Sequence, residues 1–261
     1  MKTSVSRTLV LQPAPSGHLS SLRAQSVLTM VIIRIDSRFN GPPGSANGGY
    51  ACGLVAAGIG ETVNVRLYSP PPLDTDLELS NADQPDKWLL KQDDKVIAAA
   101  TCTQVRAHVP PAPTYLEALE ASKHFTGHNQ HAYANCFVCG PQRSPGDGLR
   151  IFAGKLQSSN VVAAPWLPRS DLGNDQGKVK PEFIWCALDC PGYFASVMPG
   201  RSALLGELAV HIDRSVHVEE PCVVIGWQIM IEGRKHKVGT ALFDEDGERC
   251  AVGVATWIEV N

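Results

Sequence analysis

Tyr50-Ala-Cys-Gly-Leu-Val-Ala-Ala-Gly-Ile59 is a run of small and apolar residues, entered through Phe39-Asn-Gly-Pro-Pro-Gly-Ser-Ala-Asn-Gly-Gly49. The entry segment is made of turn formers and reads as a loop. The run that follows is apolar nearly all round, and a helix of that kind is one wrapped by other structure. Upstream, residues 30–38 are rich in β-branched side chains and read as a strand. Downstream, strands are expected at 62–69, 74–80, 86–92 and 95–106, the last two joined by a tight turn at Gln92-Asp-Asp-Lys95. One buried helix among antiparallel strands is an α+β pattern.

The second half repeats it. Strands are expected at Leu149–Phe152 and Val161–Trp166, a polar loop over 169–180, and a second apolar helix over 181–198 that contains Asp189. Strands follow at 203–216, 221–232, 237–244 and 249–260, with a hairpin turn at Asp244-Glu-Asp-Gly247. The segments starting at Val65 and Val210 align in β phase, as do Ala100–Val105 and Ala255–Val260, which marks an internal duplication. Pro191-Gly192 should bend or end the second helix just after Asp189. The expected domains are a disordered leader over 1–29, a first unit over 30–106, a connector over 107–135 with a brief helix at Tyr115–Ala121, and a second unit over 136–261. The leader is acid-poor and Ser-rich; a disordered segment, or an upstream start with folding from Met30, is preferred over a transit peptide.

The chain has 261 residues, 44% hydrophobic and 19% charged, with a net charge of −3. This is an ordinary globular balance, with nothing to attract nucleic acid or a membrane surface. No apolar run is long enough to span a bilayer. The eight cysteines fall mostly in apolar segments and fit reduced, buried thiols in a cytoplasmic protein. Cys136, Cys139, Cys186 and Cys190 could make a zinc site on paper. Cys186 and Cys190 lie one turn apart on an apolar helix, so no metal is expected. His124, His128 and His131 read as solvated connector residues that could also edge a pocket, and His211 and His217 as sheet residues. There is no Gly-x-Ser-x-Gly elbow and no phosphate-binding Gly-rich loop followed by Lys-Ser or Lys-Thr.

A helix enclosed by a curved antiparallel sheet resembles the hotdog fold. The Phe39–Gly49 loop resembles the element, often His-Gly-Gly, that enters the central helix of hotdog thioesterases. Asn135-Cys-Phe-Val-Cys-Gly140 with Pro145-Gly-Asp-Gly-Leu149 is similar to the lead-in of phenylacetic-acid-pathway-type thioesterases. Trp185-Cys-Ala-Leu-Asp-Cys-Pro-Gly192 is similar to their acid-bearing helix. The resemblance implies a double hotdog: two central helices wrapped by a continuous curved antiparallel β-sheet. It also implies acyl-thioester hydrolysis on coenzyme A or a carrier protein, with no cofactor.

In that family the acid stands nine residues after the first residue of the His-Gly-Gly element. Counting from Asn47 reaches Ala56, so the first half has donors and no acid. Counting back from Asp189 reaches Lys180, followed by Pro181, which has no N–H to donate. Neither half can build a site alone, so Asp189 should face Gly48 and Gly49 across the seam. Asp189 would act as base or nucleophile and the two glycine amides as oxyanion donors. Asn40, Asn47 and Trp185 are the candidate substrate contacts, with Asn40 first of all a residue that orients the loop and Asn47 first of all a helix N-cap. The alternatives are a hydroxyacyl-thioester dehydratase or hydratase and a non-catalytic acyl-CoA binder. A homodimer is possible.

Overall fold

The computed structural model describes residues 6–9 and 29–260 except 83, 85 and 158. The first half contributes β1 (Ser6–Leu9), β2 (Thr29–Arg34), α1 (Gly48–Ile59), β3 (Val63–Leu67), β4 (Asp76–Asn81), β5 (Lys87–Gln92) and β6 (Lys95–Cys102). The expected leader thus carries a four-residue strand paired with β2 through Ser6↔Ile32; its residues 1–5 and 10–28 lie outside the described residues. A connecting helix, α2 (Tyr115–Ser122), is followed by β7 (Gly154–Lys155), β8 (Val161–Trp166), α3 (Pro181–Ala187), α4 (Cys190–Ser196), β9 (Ser202–Ile212), β10 (Cys222–Glu232), β11 (Lys235–Phe243) and β12 (Arg249–Val260).

All twelve strands belong to one antiparallel sheet in the order β1-β2-β4-β5-β6-β3-β9-β12-β11-β10-β8-β7. The halves meet at β3 and β9, paired through Asn64↔Ala209, Val65↔Leu208 and Arg66↔Glu207. These are the strands that the sequence repeat aligned with each other. Two equivalent strands paired antiparallel place a pseudo-twofold axis at the seam and make the sheet continuous. The sheet curls around α1, α3 and α4, whose apolar faces fill a single core. The result is the double-hotdog α+β architecture.

Glycine sets how closely the helices pack. A Cβ on Gly53 would sit 2.8 Å from the Glu182 Cα and from the Trp185 Cβ, and one on Gly49 would sit 2.5 Å from the Asp189 Cβ. Side chains at either position would push α1 away from the second half. Around this crossing, Phe39 stacks on Tyr50 with centroids 4.2 Å apart, and Phe137 and Phe183 pack against the same pair. Each such contact is worth roughly 0.5–1.5 kcal/mol beyond its area, and together they tie both halves through one aromatic cluster.

Two expectations change. The second helix is not one rod over 181–198: α3 ends at Ala187 and α4 starts at Cys190. Pro191 has no N–H to give the Ala187 carbonyl, which breaks the ladder one turn earlier than the proline itself. The break packs tightly, since a Cβ on Gly226 would lie 2.4 Å from the Pro191 oxygen. Leu149–Phe152 is not a strand either. Leu149 and Ile151 donate their N–H groups to the carbonyls of Phe137 and Val138, so this segment pairs with the Cys136–Gly140 turn rather than with the sheet.

The connector folds as the amphipathic pattern indicates. A capping box between Thr114 and Glu117 starts α2. Ala118 and Ala121 then bury against the outer face of the second-half sheet, in a second and smaller core. Among the described residues no helix is long and apolar enough to cross a membrane.

Candidate active site

The N-terminus of α1 and the break between α3 and α4 meet at the bottom of a cleft of about 360 Å³. Asn47 caps α1: its Oδ1 accepts from the Tyr50 N–H at 2.9 Å. This leaves the Asn47 amide nitrogen free to donate to Asp189 Oδ2 at 2.8 Å, beside a second bond of 3.0 Å from the Gly49 N–H. One short loop therefore supplies two donors and the positive end of a helix dipole to a carboxylate from the other half of the chain.

Asp189 is only 1% exposed. Burial pushes its pKa up to about 7, against the bonds from Gly49 and Asn47 that favour the charged form. No ion pair holds it among the described residues. Arg214 pairs with Asp244. The Asp189 Oδ1 is buried with no hydrogen-bond partner among the described residues. A carboxyl with one oxygen fixed, the other unpartnered, and a pKa near neutrality can take up a proton.

The structure brings Asp189, Gly48, Gly49 and Asn47 together, but the two glycines do different work. The Gly49 N–H is committed to Asp189 itself. Gly48, the first residue of α1, lines the cleft, and among the described residues its N–H donates to no protein group. One oxyanion donor is therefore free where two were expected.

Two expected contacts lie elsewhere. Asn40 is held by the loop: its Nδ2 donates to the Gly41 carbonyl and its Oδ1 accepts from the Arg143 guanidinium. Arg143 also bonds the Arg38 carbonyl and, at 2.8 Å, Asp147, which pairs with Arg38 at 3.2 Å. Asn40 is thus part of a polar clamp that joins the two halves behind the cleft. Trp185 is 3% exposed and packs at the α1–α3 crossing rather than lining the cleft. At the pseudo-equivalent corner, Lys180 caps α3 without a side-chain bond, Pro181, which has no N–H, opens it, and the acid in that first turn is Glu182.

The cleft also gathers His131, Tyr133, Cys136, Cys139, Cys190 and Tyr193, of which the sequence had grouped only the three cysteines, together with Cys186. His131 belongs to the pocket edge, not to solvent. A separate chain of Ser196 Oγ to His236 Nδ1 at 2.8 Å and His236 Nε2 to Glu259 at 3.3 Å is off the cleft, and Ser196 and His236 are buried, so no substrate reaches that serine.

No protein-family model matches this sequence, and no curated protein does. Solved structures match over nearly the whole chain. A tesB protein of Mycobacterium avium subsp. paratuberculosis is 11% identical, over 89% of this chain and 93% of its own, with a TM-score of 0.57. A protein named as a candidate thioesterase from Novosphingobium aromaticivorans is 14% identical, over 91% and 100%, with a TM-score of 0.57. A conserved hot-dog-fold protein of unknown function from Alicyclobacillus acidocaldarius is 9% identical, over 92% and 95%, with a TM-score of 0.59. Identities this low speak to architecture alone. By that architecture the chain is a double hotdog protein.

Proposed function

We propose that the chain is an acyl-thioester hydrolase acting on acyl groups carried by coenzyme A or a carrier protein. The observation that carries this reading is the meeting of the Asp189 carboxylate with the first turn of α1 inside a cleft. A thioesterase needs a base or nucleophile beside a donor for the developing oxyanion. Asp189, with a pKa of about 7, takes the proton of an attacking water at its unpartnered Oδ1. The Gly48 N–H receives the carbonyl oxygen at the end of the helix dipole. Two thioesterase-named structures of the same fold, matched over 93% and 100% of their own lengths, support the choice of reaction.

The domain division of 30–106 and 136–261 around a connector belongs to the same reading, because the acid and its donors come from opposite sides of the β3–β9 seam. A hydratase or dehydratase would need an imidazole free to act beside the acid. His131 does line the cleft, but both its nitrogens are engaged, one by the Tyr133 N–H and one by the Cys139 sulfur. Hydrolysis is the better fit. Release of free thiol from an acyl-CoA series by wild type, with a ~10²-fold or greater loss in Asp189→Asn, supports the proposal. Equal rates for both proteins, or ligand binding without thiol release, refute it.

A further inference from the structure

The Sγ atoms of Cys136, Cys139 and Cys190 lie within 4.8 Å of one another, all three thiols are buried and free, and all three residues line the cleft. Three thiols sharing one corner need a reason, because each is a weak donor facing other weak donors. The separation of 3.7 Å between the Cys136 and Cys190 sulfurs supplies one. Two sulfurs each ~2.3 Å from a tetrahedral zinc ion stand ~3.8 Å apart.

The Cys136–Gly140 turn has the form of a metal knuckle. This tight turn requires glycine at 140, where a Cβ would lie 2.5 Å from the Cys136 carbonyl oxygen. The turn is held in place by Phe137 N–H to Asn40 carbonyl and Leu149 N–H to Phe137 carbonyl bonds, both 2.8 Å. The third thiol comes from the first residue of α4, set by the helix break.

We propose that Cys136, Cys139 and Cys190 form a three-thiolate site for a soft, zinc-class metal ion, with a fourth coordination position supplied from the cleft. Sequence spacing paired Cys190 with Cys186 and argued against a metal. The fold instead separates them: the Cys186 thiol turns to Asn47 Oδ1 at 3.3 Å, and Cys190 turns to the knuckle. His131 supports the site as an outer partner. The Tyr133 N–H donates to its Nδ1 at 2.9 Å, so its Nε2 carries the proton and points it at the Cys139 sulfur, 3.3 Å away. Outer donors of this kind orient and tune first ligands.

The test is metal binding and needs no turnover, so it stands or falls apart from the thioester reading. The full chain, reduced and stripped with a chelator, is titrated with zinc against a chromophoric competitor, and separately with cobalt(II). One equivalent should bind, with a thiolate-to-cobalt charge-transfer band, and zinc should protect three thiols from alkylation. Cys136→Ser and Cys190→Ser should each abolish the band, His131→Phe should weaken zinc roughly 10- to 100-fold as expected for an outer partner, and the remote Cys222→Ser should change nothing. Zinc uptake by wild type no greater than by Cys136→Ser, or alkylation equally fast with and without zinc, overturns the proposal. So does a Cys136–Cys190 disulfide recovered from a chain that takes up no metal, which would assign the pair to redox chemistry instead.

Discussion

Replacing Asp189 by Asn tests whether the acid is held in its costly charged form at neutral pH. The variant keeps the shape and an oxygen for Gly49 and Asn47 to bond, and it cannot ionise. In the folded chain the Asp189 pKa is about 7, raised from 3.8 mainly by burial. A carboxyl bound more tightly to its proton when folded stabilises the native state at low pH, and the benefit is lost as pH rises from about 4 through about 7. A proton held roughly a thousandfold more tightly in the folded chain corresponds to a loss of about 4 kcal/mol, with roughly 2–3 kcal/mol of it between pH 5 and 8. Urea denaturation of the metal-free proteins at several pH values reads this directly. The variant should gain on wild type by that amount as pH rises, while its thiol release falls by ~10²-fold or more. If the stability difference is the same at pH 5 and pH 8, Asp189 is not a buried, weakly compensated carboxyl.

Wild-type kcat/KM should rise with pH through about 7, where Asp189 deprotonates, and level off above it; a profile flat from pH 5 to 9 would exclude Asp189 as base. Gly48→Pro removes the one free amide at a helix position that tolerates proline, and Asn47 before it already has the extended backbone that proline demands. It should lower kcat by ~10²- to 10³-fold, with a cost of about 1–3 kcal/mol in denaturation because a Cβ at 48 would lie 3.0 Å from the Leu205 Cβ. Gly49→Ala puts a methyl 2.5 Å from the Asp189 Cβ and should cost about 1–3 kcal/mol in denaturation, with activity falling as the helices separate. Asn47→Ala removes the cap of α1 at a cost of about 1–2 kcal/mol. It also deletes a donor to Asp189, so the limb of the pH–rate profile should move to higher pH.

Much of the architecture could be read from the chain. The small-residue runs around Tyr50 and Ile184 can be buried only by being wrapped, and the strands between them repeat in phase, so two copies of a helix with an antiparallel meander follow from composition and period, while the shared sheet was implied by the hotdog resemblance. The acid in one half and the glycine loop in the other became visible through the nine-residue spacing that the hotdog thioesterase resemblance implies. Local chemistry placed α2, the Asp244–Gly247 turn and the break near Pro191, because each depends on neighbours in sequence.

What the linear chain could not decide is which groups are already engaged. Gly48 and Gly49 are adjacent and chemically identical, yet one amide is taken by Asp189 and the other faces the cleft. That difference follows from how α1 crosses α3. Asn40 and Trp185 looked like substrate contacts and became a clamp and a packing residue, because Arg143, far away in sequence, claims the first and the helix crossing buries the second. The cysteines show the same limit. Spacing paired Cys190 with Cys186, one turn away on a continuous helix. Pro191 ends that helix, and the broken turn directs Cys190 to a knuckle over fifty residues upstream. Sequence determined the elements, since propensity and period are local. The tertiary fold alone decided the partners of each donor, acid and thiol, since hydrogen bonds and ligand sets depend on distances that only packing sets.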